Sequence, residues 1–389
     1  MPPLRLCRVA TVPITLTTLL YEQIRCAVNA GIELTLVSSP GEELNRLTQD
    51  FPVRLHTIPM ARQPSPVRDL RSLIELTQFL RRERFDIVHS NTPKAGLLTA
   101  VAGRLAGVPI RLHTYTGQPW VVLSGPLRWM ARQSDAWISR LNTHTYADSP
   151  SQREFLIAEG LVTAGRITVL GSGSTSGVNL RRFDPAARAD DRTMIRAGLA
   201  IPSEALVILF VGRATRDKGI NELVAAFQAV SPGNDQLHLV LVGPQEPERD
   251  PLPPETLSEI AVNPRIHSVG FTPHPEHYLA VADIFCLPSY REGFPNVIVE
   301  AGAMRLPSVA TRITGVVDAV VEGQTGLLVP AREAHALAEA LQSLITSPAE
   351  RQRMGQLARE RAMREFDADV VNRMLVDEYY RLACQRGLG

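Results

Sequence analysis

The sequence predicts an α/β protein made of two doubly wound units, each with a parallel β-sheet and helices on both faces. Short runs of β-branched and other apolar residues alternate with helical stretches through most of the 389 residues, and this alternation favours parallel sheets. A stretch of small residues, 171–177, interrupts the rhythm before it starts again. Such a composition is typical of a flexible linker between two units.

Size and composition describe a globular chain without a membrane-spanning segment. Hydrophobic residues make up 44% and charged residues 21% of the chain, as in ordinary globular domains. The longest apolar run, 95–110, contains Arg104, so no segment reaches the roughly 18 uncharged residues that a membrane span needs. The run 9–20 contains Pro13 and has no clear small-residue cleavage site. It is therefore interpreted as a strand and loop, and not as a secretory signal.

Cysteines and charges bear on the compartment and the partners. Residues 1–170 carry 19 Lys and Arg against 13 Asp and Glu, a net charge of +6, whereas 171–389 carry 22 against 27, a net charge of −5. A basic first half suits an anionic surface or acceptor; the alternative is a solvated surface without a partner. No nucleic-acid partner is predicted. The four cysteines are far apart without metal-ligand spacing, which fits reduced thiols in a cytoplasmic protein: Cys7, Cys26, Cys286 and Cys384.

Apolar runs and helical periodicity define the elements of each unit. The domains are expected at 1–175 and 176–365, with a C-terminal helix within 366–389 that packs back on the first domain. Strands are predicted at 6–10, 33–38, 87–90, 109–113, 167–170, 205–211, 237–242, 266–269 and 283–287. Helices are predicted at 22–30, 68–84, 95–105, 219–230 and 296–304.

A polar loop follows the predicted strand 205–211. It contains Arg213 and Lys218 and leads directly into a helix. Ligands of doubly wound sheets bind outside the carboxyl ends of the strands, where a planar guanidinium and a point-charge ammonium suit phosphate oxygens. On spacing alone, an ordinary loop with solvated charges explains these residues equally well.

A second loop, 288–295, follows the strand 283–287 and leads into the helix that starts near Asn296. The glycine at 293 permits close backbone approach, and the start of a helix attracts anions. Glu292 is expected to project from the loop, with Glu300 about one turn into the helix; carboxylate oxygens accept hydrogen bonds from sugar hydroxyls. For Glu300 alone, the alternative is a solvent-facing helix residue.

A third segment places His113 at the end of the strand 109–113, before a loop that contains glycine, proline and an aromatic residue. A lone histidine is more often structural than catalytic. By itself, therefore, His113 does not indicate a catalytic site.

Together, these segments resemble the donor site of retaining glycosyltransferases of family 4, which have the GT-B fold of two Rossmann-like domains facing across a cleft. The resemblance rests on Arg213 with Lys218, and on Glu292 and Glu300 separated by seven residues. It covers nearly the whole chain, although Asn179 stands where members often have Asp. The order and distances of the motifs make the resemblance specific.

The resemblance implies a role for each matching residue. Arg213 and Lys218 would hold the donor diphosphate. Glu292 would bind the hydroxyls of the transferred sugar, and Glu300 would bind the ribose. His113 matches a histidine near the donor sugar, which reverses the structural interpretation above. The other implied donor-binding residues meet the nucleobase or line the sugar and phosphates: Gly270, Phe271, Thr272, Gly293, Phe294, Asn296 and Val297.

The resemblance also implies net retention of anomeric configuration, without a metal or any cofactor besides the nucleotide-sugar co-substrate. Many relatives have Gly-Gly after the first strand, whereas 11–15 reads Thr-Val-Pro-Ile-Thr here. That start, together with the loop 113–120, resembles a bacterial subgroup that builds capsule, O-antigen or lipid-linked oligosaccharide chains. Acceptors there are often polyprenyl-diphosphate sugars, and donors are often UDP-N-acetylhexosamines.

Such an acceptor suits a cytoplasmic protein that works peripherally on the inner face of the cytoplasmic membrane. The predicted helix Arg68–Arg84 has five arginines around its apolar residues and is expected to contact anionic lipid. A helix that covers the sheet with a solvated basic face is an equal alternative. Trp120, Trp129 and Trp137 all fall in the first unit. Core packing is expected for each, and contact with lipid or acceptor is the alternative.

Two other functions fit the same architecture. A non-hydrolysing sugar-nucleotide epimerase would need no acceptor, but the spacing of Glu292 and Glu300 argues against it. A non-catalytic sugar-nucleotide-binding protein would bind donor without turnover, and the intact set of charged residues argues against that. The leading hypothesis is a metal-independent hexosyltransferase that moves a sugar onto a lipid-linked or other glycan acceptor.

Overall fold

The computed structural model describes residues 3–61 and 65–388, and it divides the chain into two compact units. The first unit consists of Met1–Gly177 together with Ala368–Gly389, and the second consists of Val178–Asp367. The chain therefore passes from the first unit to the second after Gly177 and returns to the first unit at Ala368.

The first unit is built on a parallel sheet of seven strands. Its strands are β1 (Arg5–Val9), β2 (Glu33–Ser38), β3 (Arg54–Thr57), β4 (Ile87–Ser90), β5 (Ile110–Tyr115), β6 (His144–Ala147) and β7 (Ile167–Thr168). They lie in the order β3-β2-β1-β4-β5-β6-β7. Because the order changes direction at β1, a ligand crevice is expected outside the carboxyl ends of β1 and β4.

Apolar cores cover both faces of this sheet, since alternate residues of a strand point to opposite sides. Leu6 belongs to one core, whereas Cys7 and Val9 belong to the other. The helices are α1 (Tyr21–Asn29), α2 (Leu44–Asp50), α3 (Pro66–Glu83), α4 (Pro93–Ala106), α5 (Gly125–Leu141) and α6 (Pro150–Ala158). α1 and α2 pack on the Leu6 side, α3 and α4 on the other, and α4 also contacts α5.

The second unit is built on a parallel sheet of six strands in the order β10-β9-β8-β11-β12-β13. Its strands are β8 (Leu206–Val211), β9 (Leu237–Val242), β10 (Ile266–Gly270), β11 (Ile284–Leu287), β12 (Ser308–Thr311) and β13 (Gly326–Val329). Its α-helices are α7 (Ala189–Gly198), α8 (Ile220–Val230), α9 (Pro254–Val262), α10 (Pro275–Leu279), α11 (Asn296–Ala303), α12 (Val316–Ala319), α13 (Ala334–Thr346) and α14 (Pro348–Glu365). The neighbouring strands β8 and β11 mark the change of direction, which places a second crevice at their carboxyl ends.

The last helix, α15 (Ala368–Gln385), completes the first unit. Tyr379 is buried in the same core as Leu6, and its hydroxyl accepts a hydrogen bond from Arg8. The buried Arg8 also donates to Gln23 Oε1 at 2.7 Å and Asn91 Oδ1 at 2.6 Å. A buried guanidinium requires such acceptors because the loss of water would otherwise be costly.

The segment 171–177 differs from the exposed flexible linker that its composition predicts. Ser174, Thr175 and Ser176 are buried. The carbonyl oxygen of Ser176 accepts from Asn372 Nδ2 at 2.9 Å, and that of Thr175 accepts from Gln23. Small side chains let this backbone enter the first unit, where its polar groups are paired.

The tryptophans correct a second expectation. Trp120 is buried, with 1% of its surface exposed, but Trp129 and Trp137 are 63% and 50% exposed. Core packing was therefore the wrong expectation for two of the three. No helix within 3–61 and 65–388 is long and apolar enough to cross a membrane.

Candidate functional site

The loop after β8 carries the first predicted pair of basic residues. Arg213 Nη1 lies 2.7 Å from Glu246 Oε2, and its Nη2 lies 3.6 Å from Asp217 Oδ2. Burial opposes the charged form of Arg213, but Asp217 and Glu246 outweigh it and raise the pKa of this guanidinium. Arg213 is therefore a fixed, half-buried cation beside the carboxyl end of β8.

Lys218 joins the two loops that the sequence singled out separately. Its Nζ lies 2.5 Å from Glu292 Oε1, and the two side chains are only 16% and 14% exposed. This contact follows from the topology, because β8 and β11 are adjacent in the sheet and their carboxyl-terminal loops meet. The structure thus brings Arg213, Lys218 and Glu292 into one site.

Gly219 allows the two loops to approach. It has a φ of +74° and separates the 3₁₀ turn Arg216–Lys218 from α8. A Cβ atom at this position would lie 2.1 Å from the carbonyl oxygen of Pro288, at the end of β11. Only glycine fits such a position without displacing the backbone.

Asp217 was not assigned a role from the sequence, although it holds this arrangement together. Its carboxylate accepts from Thr215 Oγ1 at 2.6 Å and from Arg291 at 3.1 Å, and its carbonyl oxygen accepts from the N–H of Tyr290 at 2.8 Å. Burial tends to raise the pKa of Asp217, but the Thr215 hydrogen bond and the nearby cations lower it. In the sequence, the only indication of a role for Asp217 was its position between Arg213 and Lys218.

The start of α11 lies directly after the second loop. Phe294 is buried and packs on Phe366 with a ring separation of 5.2 Å, which fixes the backbone that leads to Asn296 and Val297. Gly315, at a φ of +83°, packs against Gly293 so closely that a Cβ would lie 2.0 Å from the Gly293 oxygen. The first N–H groups of a helix lack partners within it and carry its positive dipole end, so they favour an anion.

Glu300 lies further along α11 and is half-buried. Burial raises the pKa of Glu300 to about 7, with a lowering contribution from Arg182 and a raising one from Glu276. Arg182 is itself paired with Glu276 at 2.7 Å. Glu300 therefore accepts or releases a proton near neutral pH, and a ligand that donates hydrogen bonds to its carboxylate would lower its pKa.

The loop after β10 presents an exposed aromatic ring. Gly270 has a φ of +78°, and the Phe271 side chain that follows is 58% exposed. Thr272 Oγ1 accepts from the N–H of His274 at 3.1 Å, which orders the turn. An exposed ring face of this kind can stack on a planar base.

A possible metal-binding set lies just beyond this loop. Among residues 3–61 and 65–388, one cluster of histidine, cysteine or acidic side chains, His274, Glu276 and His277, places its ligand atoms within 4.8 Å of one another. Glu276 is also the ion-pair partner of Arg182. A metal ion there would have to share the Glu276 carboxylate with Arg182. None of the three residues belongs to the loops after β8 and β11.

His113 belongs to the other unit. It lies on β5, is 2% exposed, and its Nδ1 is 2.9 Å from Ser90 Oγ. Burial lowers the pKa of His113 to about 3, so its imidazole is neutral at physiological pH. α4 covers this ring, since a Cβ at Gly96 would lie 2.5 Å from its Cε1 atom.

Comparison with known proteins identifies both units. The family model for glycosyl transferases group 1 matches residues 191–361, and the glycosyl transferase 4-like domain model matches residues 16–173. The chain is 29% identical to the capsular polysaccharide biosynthesis glycosyltransferase CapM of Staphylococcus aureus over 353 residues, 91% of each protein.

Two further relatives extend the comparison. UDP-Gal:alpha-D-GlcNAc-diphosphoundecaprenol alpha-1,3-galactosyltransferase of Escherichia coli is 27% identical over 292 residues, 74% of this chain and 73% of the relative. The crystal structure of HepE from Anabaena, in complex with UDP and glucose, has the same fold, with a TM-score of 0.81, 18% identity, and coverage of 97% of this chain and 100% of that one. Because the two family models account for both Rossmann-like units, the chain belongs to the glycosyltransferases of family 4, which have the GT-B fold.

Proposed function

We propose that this glycosyltransferase builds a bacterial surface polysaccharide by moving an N-acetylhexosamine from its UDP-sugar onto a polyprenyl-diphosphate-linked or other glycan acceptor, with retention of configuration. The observation that carries the donor site is the Lys218–Glu292 contact of 2.5 Å. It puts a cation for phosphate and a carboxylate for sugar hydroxyls side by side, next to the start of α11.

Each charged group has a task in this reaction. The bond between the anomeric carbon and the diphosphate oxygen breaks, and negative charge develops on the leaving diphosphate. Arg213, Lys218 and the positive end of α11 stabilise that charge. Glu292 accepts hydrogen bonds from the sugar, and Glu300 accepts them from the ribose. The acceptor oxygen bonds to the anomeric carbon on the face that the diphosphate leaves.

The acceptor's proton passes to the leaving diphosphate in this proposal, so no protein base and no metal is required. Arg213 and Lys218 supply the positive charge that a divalent cation would otherwise bring to the diphosphate. We also assign the neutral, buried His113 to the donor sugar, on the family resemblance.

The substrates are proposed from relatives as well as from the site. CapM is named for capsular polysaccharide biosynthesis, and the Escherichia coli relative is named for a diphosphoundecaprenol-linked GlcNAc acceptor. That relative is named for UDP-Gal. Its donor therefore shares UDP with the donor proposed for this chain but carries a different sugar. A lipid-linked acceptor would hold the protein peripherally at the inner face of the cytoplasmic membrane.

Calorimetric titration with UDP-, GDP-, ADP- and dTDP-sugars, without added metal, tests the donor. Selective binding of one UDP-sugar, lost in Lys218→Ala and kept in Arg216→Ala, supports the assignment. Arg216 is a matched control because it lies two residues away, is 55% exposed, and pairs with Asp250. Binding that survives Lys218→Ala would refute the proposed diphosphate contact.

Product analysis then tests the chemistry. Donor alone should give no epimerised sugar, whereas donor with a polyprenyl-diphosphate sugar should give a glycoside with the anomeric configuration of the donor. A product of inverted configuration would overturn the retaining mechanism. Epimerisation of donor alone would instead favour the epimerase alternative.

A further inference from the structure

An apolar surface on the first unit is not explained by the donor site. Ten consecutive residues, 121–130, are exposed, and six of them are large and apolar. These six are called the apolar segment, and they are 36–63% exposed: Val121, Val122, Leu123, Leu127, Trp129 and Met130. Single exposed apolar residues are ordinary, but a contiguous group marks an interaction surface.

The apolar segment is held outward by a buried anchor. Trp120 precedes it, donates from Nε1 to Asp135 Oδ2 at 2.7 Å, and stacks on Phe155 with a ring separation of 5.4 Å. The backbone is thus fixed at Trp120 while the next ten residues face solvent. This exposure therefore belongs to an ordered part of the fold, beyond the carboxyl end of β5.

The outer face of α5 continues the same surface. Met130 and Trp137 are seven residues apart, about two helical turns, so they share one face. On the opposite face, Ala136 and Ile138 are buried. α5 therefore has apolar residues on both faces: the inner face is packed within the first unit, and the outer face is exposed to solvent.

The charges around the apolar segment are of one sign. Residues 116–134 contain no Asp or Glu. Arg128 lies 5.9 Å from the ring centre of Trp120, and Arg140 lies 5.7 Å from that of Trp137. Tryptophan with arginine beside an apolar segment is the composition of helices that lie in a membrane interface, where anionic headgroups meet the cations.

α3 exposes apolar residues of its own at the same edge of the sheet. Its first half exposes Val67, Leu70 and Ile74, by 76%, 58% and 50%, and it follows β3, so it starts at the same edge of the sheet as α5. Its basic end lies at the opposite edge, where Arg81 donates to the Leu105 oxygen at 2.9 Å and Arg82 pairs with Glu83.

We propose that the apolar segment, with Trp137 and the first half of α3, inserts into the interface of an anionic bilayer. The absence of acidic residues in 116–134 favours anionic lipid over a protein partner, whose surface would offer both signs of charge. This inference deepens the membrane contact of the proposed function, and it places that contact at the carboxyl edge of the sheet and not at the basic end of α3. Vesicle binding needs no substrate, so it can fail independently of the transferase proposal.

Co-sedimentation with vesicles tests the contact directly. Wild-type protein should bind phosphatidylcholine vesicles that contain phosphatidylglycerol, and bind pure phosphatidylcholine more weakly. Leu127→Ser with Trp129→Ser should weaken binding about tenfold or more, and the fold should survive because both side chains are exposed. Arg81→Ser with Arg82→Ser is the matched control at the opposite edge and should bind nearly as wild type.

Tryptophan fluorescence adds a second readout. Anionic vesicles should shift the emission of the wild type to shorter wavelength, and Trp129→Phe with Trp137→Phe should lose most of that shift, because these are the two exposed tryptophans. The proposal is overturned if wild type stays unbound with anionic vesicles, or if the Leu127/Trp129 variant binds them as well as wild type does. It is also overturned if that variant dissociates a wild-type oligomer on light scattering without changing vesicle binding, since the surface would then join copies of the chain.

Discussion

The carboxyl edges of the two sheets are built from opposite kinds of side chain. In the second unit, the loops after β8 and β11 meet through half-buried ion pairs, Lys218 with Glu292 and Arg213 with Glu246. In the first unit, the corresponding edge holds a buried neutral His113 and an exposed apolar segment. One edge suits a phosphate-bearing ligand, and the other suits a partly apolar environment.

The same architecture thus carries side chains of different chemistry at the strand ends of the two units. The parallel sheet supplies crevices at strand ends in both units, but it does not determine their chemistry. Fixed cations in the second unit are already paired with carboxylates, so a diphosphate would have to compete for them. Burial in the first unit instead keeps the pKa of His113 low, so this imidazole adds no charge to that edge at neutral pH.

The largest effect should come from breaking the charged edge. Lys218→Ala is expected to lower kcat/KM for the donor about 10²–10³-fold or more, because one cation that stabilises the leaving diphosphate is lost, as with a lost oxyanion donor. Initial rates at subsaturating donor would measure it. Arg216→Ala should stay within about twofold of wild type, because an exposed ion pair contributes little free energy. Equal losses of activity in both variants would disprove a specific role for Lys218.

Packing behind that edge offers the next test. Gly219→Ala should destabilise the second unit by about 3 kcal/mol or more, since a residue with positive φ is strained and its Cβ would meet the Pro288 oxygen. Gly233 has nearly the same φ, +75°, with nothing within 4 Å of a Cβ. Gly233→Ala should therefore cost only about 1 kcal/mol. Urea unfolding by circular dichroism compares the two, and equal costs would contradict close packing of the two loops.

A smaller effect concerns pH and the ribose contact. The folded pKa of Glu300 is raised to about 7, so the free protein gains a proton there as pH falls below 7. If ribose hydroxyls donate to the carboxylate, UDP-sugar affinity should fall up to about tenfold per pH unit below pH 7 and level off above it. Arg182, Glu276 and the nearby His274 also face this region. Glu300→Gln should flatten the profile, and an unchanged slope in that variant would assign it to another group.

The smallest expected effect concerns the buried, neutral His113 of the first unit. Ser90→Ala removes the hydroxyl beside His113 Nδ1 and should cost about 1 kcal/mol, the usual net value of one hydrogen bond. All three tryptophans belong to the first unit, so their fluorescence during urea unfolding reports on that unit alone. If Ser90→Ala shifted the circular-dichroism transition but left the tryptophan fluorescence transition unchanged, the destabilisation would lie in the second unit. That result would contradict the placement of Ser90 beside His113 in the first unit.

Much of the fold could be predicted because buried parallel strands are apolar along their whole length. β9 occupies Leu237–Val242, the range its sequence predicts, and both sheets are parallel as expected. β3 was missed because Arg54–Thr57 is an edge strand with no buried residue. The sequence of α3 predicted its helical character but not which half exposes apolar side chains, since exposure depends on the neighbouring α4.

The candidate site was predictable only in its residue types. Arg213 and Lys218 stood out in the sequence, but their partners Glu246 and Glu292 lie 33 and 74 residues further along the chain. Strand order, and not spacing, brings these partners together. The exposure of Trp129 was likewise not predictable, because nothing in the sequence distinguishes it from Trp120, which is the tryptophan that packs in the core.

The position of α15 has a consequence for synthesis on the ribosome. Domains generally fold as units while the chain emerges, and all of Val178–Asp367 is available before α15 is made. The first unit is translated earlier, yet its core lacks Tyr379, and Arg8 lacks one of its hydrogen-bond acceptors, until α15 leaves the tunnel. The half of the protein that is synthesised first is therefore the half that finishes folding last.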